Sequence, residues 1–115
     1  MAKITNFKVG PESIIQNKII LKLRSLKWSV RATHGNLYMM GFADLFCAHR
    51  MYGARWVEVK DPSRQGDIFT SAQHEYFTEL TAHGVGIWVL TSDSDYEIAK
   101  LHKPPNWYQY LQIMR

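Results

Sequence analysis

Three ionisable residues in the middle of the chain have types and spacing that suit phosphate chemistry: Asp44, Glu58 and Lys60. Mg²⁺ prefers oxygen ligands, and proteins hold it with one or two carboxylates together with water and substrate phosphates. A cation placed beside such an ion can stabilise the charge that develops on a phosphate during hydrolysis. Two acids and one lysine therefore suit the binding of a divalent cation against a phosphate.

These three residues fall on two predicted β-strands, about 42–49 and 54–60, joined by a turn. Side chains alternate between the two faces of a strand. Asp44 therefore lies between aromatic residues on one face of the first strand, and Glu58 and Lys60 share a face of the second. A charge on a buried face is costly unless it is paired or bound to a metal. A solvated Glu–Lys pair on an open sheet face is the alternative interpretation.

Two predicted helices carry further polar side chains at the start of apolar stripes. The first helix covers 11–26, and Glu12 begins its stripe. The second covers 70–83, where Thr70 and Gln73 have the spacing of a capping box. Glu12 is therefore a candidate third acid, acting directly or through water, and Gln73 a candidate for fixing a water, the lysine or a phosphate. Interaction of Glu12 with the helix dipole and simple capping by Gln73 are the alternatives.

The remaining elements complete an order of helix, three strands, helix, strand and helix. Residues 28–33 alternate apolar and polar side chains, and 84–91 is an almost uninterrupted apolar run typical of a buried strand. A short helix is predicted over 95–102, and 107–115 is predicted as a final helix or an extended tail. This order predicts an α/β fold with a mixed sheet flanked by helices and a right-handed crossover after the third strand.

The composition predicts one globular domain over residues 1–115. With 46% hydrophobic residues, a chain of this length can bury roughly two-thirds of its unfolded surface, enough for one core. It has neither an apolar run approaching the ~18–20 residues of a membrane span nor a signal-peptide pattern at its start. The single cysteine, Cys47, excludes an internal disulfide and a multi-cysteine zinc site. These features predict a cytoplasmic protein without membrane association.

The net charge of +4 fits a nucleic-acid partner without requiring one. Four basic residues are candidate DNA contacts. Arg64 lies in a polar loop over 61–67, His34 in a turn, and Arg31 and Lys22 in the preceding strand and helix. Ordinary solvated charges, and a loop-capping role for His34, are the alternatives. The sequence has no H-E-x-x-H pattern, so the histidines do not form a rival metal site.

The order and spacing of these groups resemble the PD-(D/E)XK nuclease superfamily, which is built on a restriction-endonuclease-like αβββαβ core. Within it, the chain is similar to the small stand-alone VRR-NUC type, the virus-type replication-repair nuclease domain. The resemblance covers roughly residues 12–107. It is carried by E-S-I-I-Q from residue 12, G-F-A-D from residue 41, W-V-E-V-K from residue 56 and Q-x-x-Y-F from residue 73. Ala43 stands where the family usually has proline, at a position that carries no chemistry.

The resemblance implies a metal site and assigns its ligands. Asp44 and Glu58 would ligate Mg²⁺, for which Mn²⁺ can substitute, and the Val59 carbonyl would be a further ligand. Glu12 would help to hold the metal or its water. These assignments agree with the preference of Mg²⁺ for oxygen ligands and few carboxylates.

The resemblance also implies a reaction and its setting. Lys60 would orient or activate the attacking water and stabilise charge on the phosphate, and Gln73 would position Lys60 or the substrate. The implied activity is a metal-dependent DNA endonuclease that selects branched DNA such as the Holliday junction, in a bacterial or phage-infected cell. Paired scissile strands favour a C₂ homodimer. Nicking or flap cleavage of other DNA and a non-catalytic DNA-binding accessory module are the alternatives.

Overall fold

The computed structural model describes residues 10–33, 41–63 and 68–114. Within these segments the elements follow the predicted order, although β1, β2 and β4 are shorter than predicted. None of the helices described there has the length and apolar character needed to cross a bilayer. The elements are α1 (Pro11–Ser25), β1 (Ser29–Ala32), β2 (Leu45–His49), β3 (Gly53–Val59), α2 (Ser71–Ala82), β4 (Ile87–Leu90), α3 (Asp95–Ala99), a 3₁₀ turn (Lys100–His102) and a C-terminal 3₁₀-helix (Trp107–Met114).

The four strands form one mixed sheet. Their order across the sheet is β1-β2-β3-β4. β1 and β2 are antiparallel, as are β2 and β3, whereas β3 and β4 are parallel. A parallel neighbour requires the chain to cross back along the sheet, and α2 lies within that connection. The predicted α/β fold with a mixed sheet is therefore confirmed.

Helices pack on both faces of the sheet and divide the core into two layers. On one face, α1 and α3 pack against β3 through Leu23, Ile98 and Val57. On the other face, α2 and the C-terminal 3₁₀-helix contribute Phe77 and Trp107 to a second cluster. The predicted alternation along β3 is confirmed, because its two buried valines face the first layer and Trp56 faces the second.

β2 begins at Leu45, so Asp44 precedes the strand and does not lie within it. The prediction of strand from residue 42 is wrong at this end. Gly41 has a φ of +89°, and a Cβ on it would lie 2.7 Å from the Ala72 carbonyl oxygen of α2. This close approach carries the chain across α2 before it joins the sheet, so a tertiary contact overrides the local alternation.

The outer edge of β4 is closed by a side chain that imitates a neighbouring strand. The Asn106 amide oxygen accepts a hydrogen bond from the Val89 N–H at 2.6 Å, and its NH₂ donates to the Val89 carbonyl at 3.2 Å. The indole of Trp88 donates to the Lys103 carbonyl at 2.8 Å. Backbone groups that would otherwise recruit another strand are thus satisfied within the chain.

A buried acid, Glu97, anchors α3 to the carboxyl end of β4. It accepts a hydrogen bond from the Thr91 N–H at 2.9 Å and pairs with the Lys100 ammonium at 2.6 Å. Lys100 also donates to the Tyr110 hydroxyl at 3.0 Å. Desolvation of Lys100 would lower its pKa, but the hydrogen bonds and charges of Glu97 and Tyr110 outweigh it and raise the pKa above its usual value. The pair therefore connects three elements around this edge.

Candidate functional site

The register between β2 and β3 brings two of the predicted acids to the same end of the sheet. Leu45 pairs with Val57, so Asp44, the preceding residue, lies opposite Glu58. The Asp44 Oδ2 atom accepts a hydrogen bond from the Val59 N–H at 2.7 Å. The sequence separates these acids by a hairpin, and the sheet places them side by side where β2 starts and β3 ends.

Glu58 and Lys60 form a buried ion pair that also contacts Gln73. The Lys60 Nζ atom lies 3.0 Å from Glu58 Oε2. The Gln73 amide NH₂ donates to the same Oε2 at 2.8 Å, and its oxygen accepts from Lys60 Nζ at 3.3 Å. Glu58 is 0% exposed and Lys60 3%. The alternative interpretation of a solvated Glu–Lys pair is therefore wrong.

The capping box of α2 fixes the orientation of the Gln73 amide. The Thr70 N–H donates to the Gln73 side-chain oxygen at 3.2 Å, and the Gln73 N–H donates to the Thr70 hydroxyl at 3.1 Å. Because a backbone N–H can only donate, the amide oxygen must face it, and the NH₂ group is left to face Glu58. Capping and contact with the ion pair were predicted as alternatives, and Gln73 makes both.

The ion pair is buried beside an aromatic ring, and this environment favours direct contact between the two charges. The Lys60 ammonium lies 5.3 Å from the ring centroid of Phe69, a cation–π arrangement. Removing two charges from water is costly, and their attraction offsets this only when the geometry is good. The site therefore holds one lysine and one carboxylate in a fixed geometry.

Glu12 reaches the same end of the sheet but is separate from the other two acids. Its Oε2 atom accepts a hydrogen bond from the Asp61 N–H at 3.3 Å, one residue after Lys60. Among the residues that the structure describes, no group of three or more His, Cys, Asp or Glu lies close enough to hold one metal ion. A site in which three acids bind one metal ion directly is thus not seen among these residues, and a role for Glu12 through water stays a prediction.

Gln16 was not given a role by the sequence, although it lies one turn after Glu12 on the same stripe. Its side-chain oxygen is buried and has no hydrogen-bond partner in the described segments. A buried acceptor left in this state costs about 1–3 kcal/mol. The inward position of a polar residue at i+4 from Glu12 is the sequence signal that could have identified it.

Thr33 holds the backbone on which Asp44 is carried. Its hydroxyl donates to the Ala43 carbonyl at 2.6 Å and lies 3.1 Å from the Asp44 carbonyl, to which its N–H donates at 2.8 Å. Sequence reasoning missed this role, because a threonine that ends a strand carries no signal for a partner so far along the chain. Thr33 therefore positions the acid without touching its carboxylate.

The residues predicted to contact DNA differ in their surroundings. Arg31 is exposed on β1. Lys22 pairs with Asp95 at 3.1 Å, so its ammonium is already in contact with a carboxylate. His34 and Arg64 lie outside the described residues.

The donor set at this end of the sheet fits a hard divalent cation. Asp44 and Glu58 supply carboxylate oxygens, whereas the contact of Val59 with Asp44 is made by its N–H, so the role of the Val59 carbonyl as a ligand stays a prediction. Mg²⁺ and Mn²⁺ favour such oxygen donors, and two carboxylates are enough when water and phosphate complete the coordination. The residues present therefore suit the metal that the sequence predicts.

No family model, curated protein or solved structure matches this chain.

Proposed function

We propose that the chain is a metal-dependent DNA endonuclease with a restriction-endonuclease-like core of the PD-(D/E)XK, VRR-NUC type. The observation that carries the proposal is the buried contact of Lys60 with Glu58 and Gln73, beside which the Asp44 carboxylate accepts a hydrogen bond from the Val59 N–H. The order of helices and strands and the mixed sheet agree with an αβββαβ core. Two acids can hold a divalent cation, and a lysine beside them can stabilise charge on a phosphate.

Each residue has a role that follows from its position. Asp44 and Glu58 hold a divalent cation, which when bound polarises the phosphate and makes water a better nucleophile at neutral pH. The Lys60 ammonium stabilises negative charge that develops on the phosphate. The fixed amide of Gln73 keeps Lys60 in place as the substrate enters. Glu12 orients water at the margin of the site.

The proposed substrate is branched DNA, with the Holliday junction as the leading candidate. Two strands of a junction must be cut in a matched way, so a C₂ homodimer with two sites is the economical assembly. The proposed setting is the cytoplasm of a bacterial or phage-infected cell. Nicking or flap cleavage uses the same chemistry on another DNA shape.

A non-catalytic DNA-binding module is the second candidate. The specific observation in its favour is that Glu58 is fully buried and paired with Lys60, as a structural ion pair would be. In that case the acids stabilise the fold, and metal changes neither DNA binding nor DNA integrity.

Cleavage of labelled DNA separates the two candidates. Wild-type protein and Asp44→Asn are incubated with a four-way junction, a flap and a linear duplex in Mg²⁺, Mn²⁺ or EDTA. Asparagine keeps an oxygen that can accept from the Val59 N–H, so the variant should fold. Asp95→Asn, at an exposed acid, is the matched control. We expect wild type and Asp95→Asn to cut only with metal, and Asp44→Asn to bind without cutting. Binding by wild type with no cleavage in any metal would favour the non-catalytic module.

A further inference from the structure

One face of the sheet is exposed where α2 does not cover it. This open face consists of Ser29, Arg31, Phe46, Ala48 and Ala54, on β1, β2 and the start of β3. All of them except the half-buried Ala48 are exposed, and the ring of Phe46 is 37% exposed. Neighbouring residues on the same strands point to the opposite face and pack under α1. The open face is thus a shallow platform with one aromatic ring, one cation and three small residues.

The open face is continuous with the candidate metal site. The register aligns Arg31, Phe46 and Trp56 across three strands, and Phe46 lies 4.8 Å from Trp56 between ring centroids. Asp44 and Glu58 form the next row along the same strands. Two residues along a strand span about 6.8 Å, a distance of the order of one nucleotide step in an extended strand. A DNA strand with a phosphate beside Asp44, the half-buried member of this row, would therefore carry the adjacent base over Phe46.

The outer edge of the open face is a cationic groove. The groove has a volume of about 570 Å³ and runs beside Arg24 and Arg31 along β1. Arg24 uses one nitrogen to donate to the Val30 carbonyl at 2.9 Å, and the Arg31 guanidinium makes no ion pair within the described segments. Neither β1 nor β2 contains an acidic residue. The edge is therefore complementary to a phosphate backbone.

We propose that the open face and its edge groove bind an unpaired segment of a DNA strand next to the metal site. Phe46 is the surface on which a base stacks, and Arg31 and Arg24 contact the phosphates. Stacking on an aromatic ring beside a cationic groove is how single strands are held without regard to sequence. A base inside a duplex cannot reach Phe46. The inference rests on the proposed nuclease function for the placement of the strand, and it specifies a substrate with unpaired nucleotides beside the scissile phosphate.

A second copy of the chain is a poorer occupant of this surface. A stable interface buries about 800 Å² per partner and has an apolar centre. The open face offers one ring and several small residues, and a two-fold contact there would bring together two copies of Arg31 without an acid on either β1 or β2. DNA supplies the negative charge that a second copy lacks.

Binding of a labelled single-stranded oligonucleotide, measured by fluorescence anisotropy in EDTA over a range of NaCl, tests the inference. Phe46→Ala should weaken single-strand binding about tenfold and leave duplex binding unchanged. Phe46→Leu keeps apolar bulk and should also weaken it. Arg31→Gln should lower the steepness of the salt dependence by about 0.7, as expected for one lost phosphate contact on a single strand. Tyr108→Ala and Arg50→Gln, at exposed residues away from the open face, should change neither quantity.

Two outcomes would overturn the inference. One is a Phe46→Ala variant that binds single strands as well as Tyr108→Ala does, with thermal unfolding showing both folded. The other is a wild-type dimer in sedimentation experiments that Phe46→Ala dissociates, which would assign the open face to self-association. Neither outcome would contradict the nuclease proposal, which is tested separately by metal-dependent cleavage and its loss in Asp44→Asn.

Discussion

A double-mutant cycle on Glu58 and Lys60 measures how strongly the site is held by its ion pair. The variants are Glu58→Gln, Lys60→Met and both together. Lys60→Met leaves a carboxylate that is 0% exposed with the amide of Gln73 as a remaining contact. Glu58→Gln leaves a buried ammonium with the amide oxygen of Gln73 and the ring of Phe69. Each single variant thus removes the opposite charge at 3.0 Å from a buried ionised group.

The expected magnitudes follow from that burial. Removing one partner of a buried pair costs about 3–5 kcal/mol, whereas replacing both partners with neutral groups is often neutral. In the double variant the amides at positions 58 and 73 can exchange hydrogen bonds, so we expect a loss of about 1–2 kcal/mol. The interaction energy of the cycle is then at least about 4 kcal/mol. Each single variant should unfold more than about 10 °C below wild type.

Urea and thermal unfolding followed by circular dichroism in EDTA give these free energies. The control cycle uses Lys22→Met and Asp95→Asn, because that pair is 3.1 Å apart and Asp95 is 94% exposed. An exposed pair contributes at most about 1 kcal/mol. A Glu58–Lys60 interaction energy no larger than the Lys22–Asp95 value would refute the reasoning that the candidate site is held by a desolvated ion pair.

Three further predictions concern contacts around the site and the core. Thr33→Val should lower the free energy of unfolding by about 1 kcal/mol and reduce cleavage more than binding, because the backbone of Asp44 loses its hydroxyl contact; equal losses in both assays would contradict this. Gly86→Ala should lower the free energy of unfolding in urea by about 1–3 kcal/mol, because the added Cβ would lie 2.2 Å from the Pro105 side chain. Unchanged stability would contradict this and show that Pro105 moves away without cost. Burial raises the pKa of the Cys47 thiol to about 12, so at pH 8 an alkylating reagent should modify this thiol only when the protein unfolds. Because this pKa is raised in the folded state, the associated stability is present below about pH 9 and is lost as the pH rises toward 12; rapid native-state alkylation would contradict the burial.

The sequence predicts the parts of the fold that local patterns encode. The capping box at Thr70 and Gln73 and the alternation along β3 are both confirmed. The start of β2 is missed, because the close approach of Gly41 to α2 is a tertiary contact. The closure of β4 by Asn106 is missed for the same reason, since its partner Val89 lies 17 residues away along the chain. Such contacts leave no periodic signal in a single sequence.

The candidate site is predicted in its members and only partly in its geometry. Alternation on two strands predicts that Asp44 and Glu58 lie together, and the pairing of Leu45 with Val57 leaves both acids at the same end of the sheet, although Asp44 precedes β2. The role of Glu12 as a third acid of the site stays a prediction, and the structure shows its carboxylate accepting a hydrogen bond from the Asp61 N–H at 3.3 Å. The position of Glu12 depends on where the first turn of α1 meets the sheet, and this in turn depends on how the whole helix packs. The partnership of Thr33 with Asp44 depends equally on the three-dimensional arrangement.

The buried pair of Glu58 and Lys60 is formed by residues close together in the chain, and this favours a chemical role for it. Glu97 and Lys100 link α3, β4 and the C-terminal 3₁₀-helix. In contrast, Glu58 and Lys60 lie two residues apart at the end of one strand, and their shared contact with Gln73 links that strand to α2. A neutral replacement should therefore preserve the fold, as the double variant tests. We expect that variant to keep most of its stability and to lose all metal-dependent cleavage. A stable double variant that still cuts DNA would show that these charges are not part of the catalytic site.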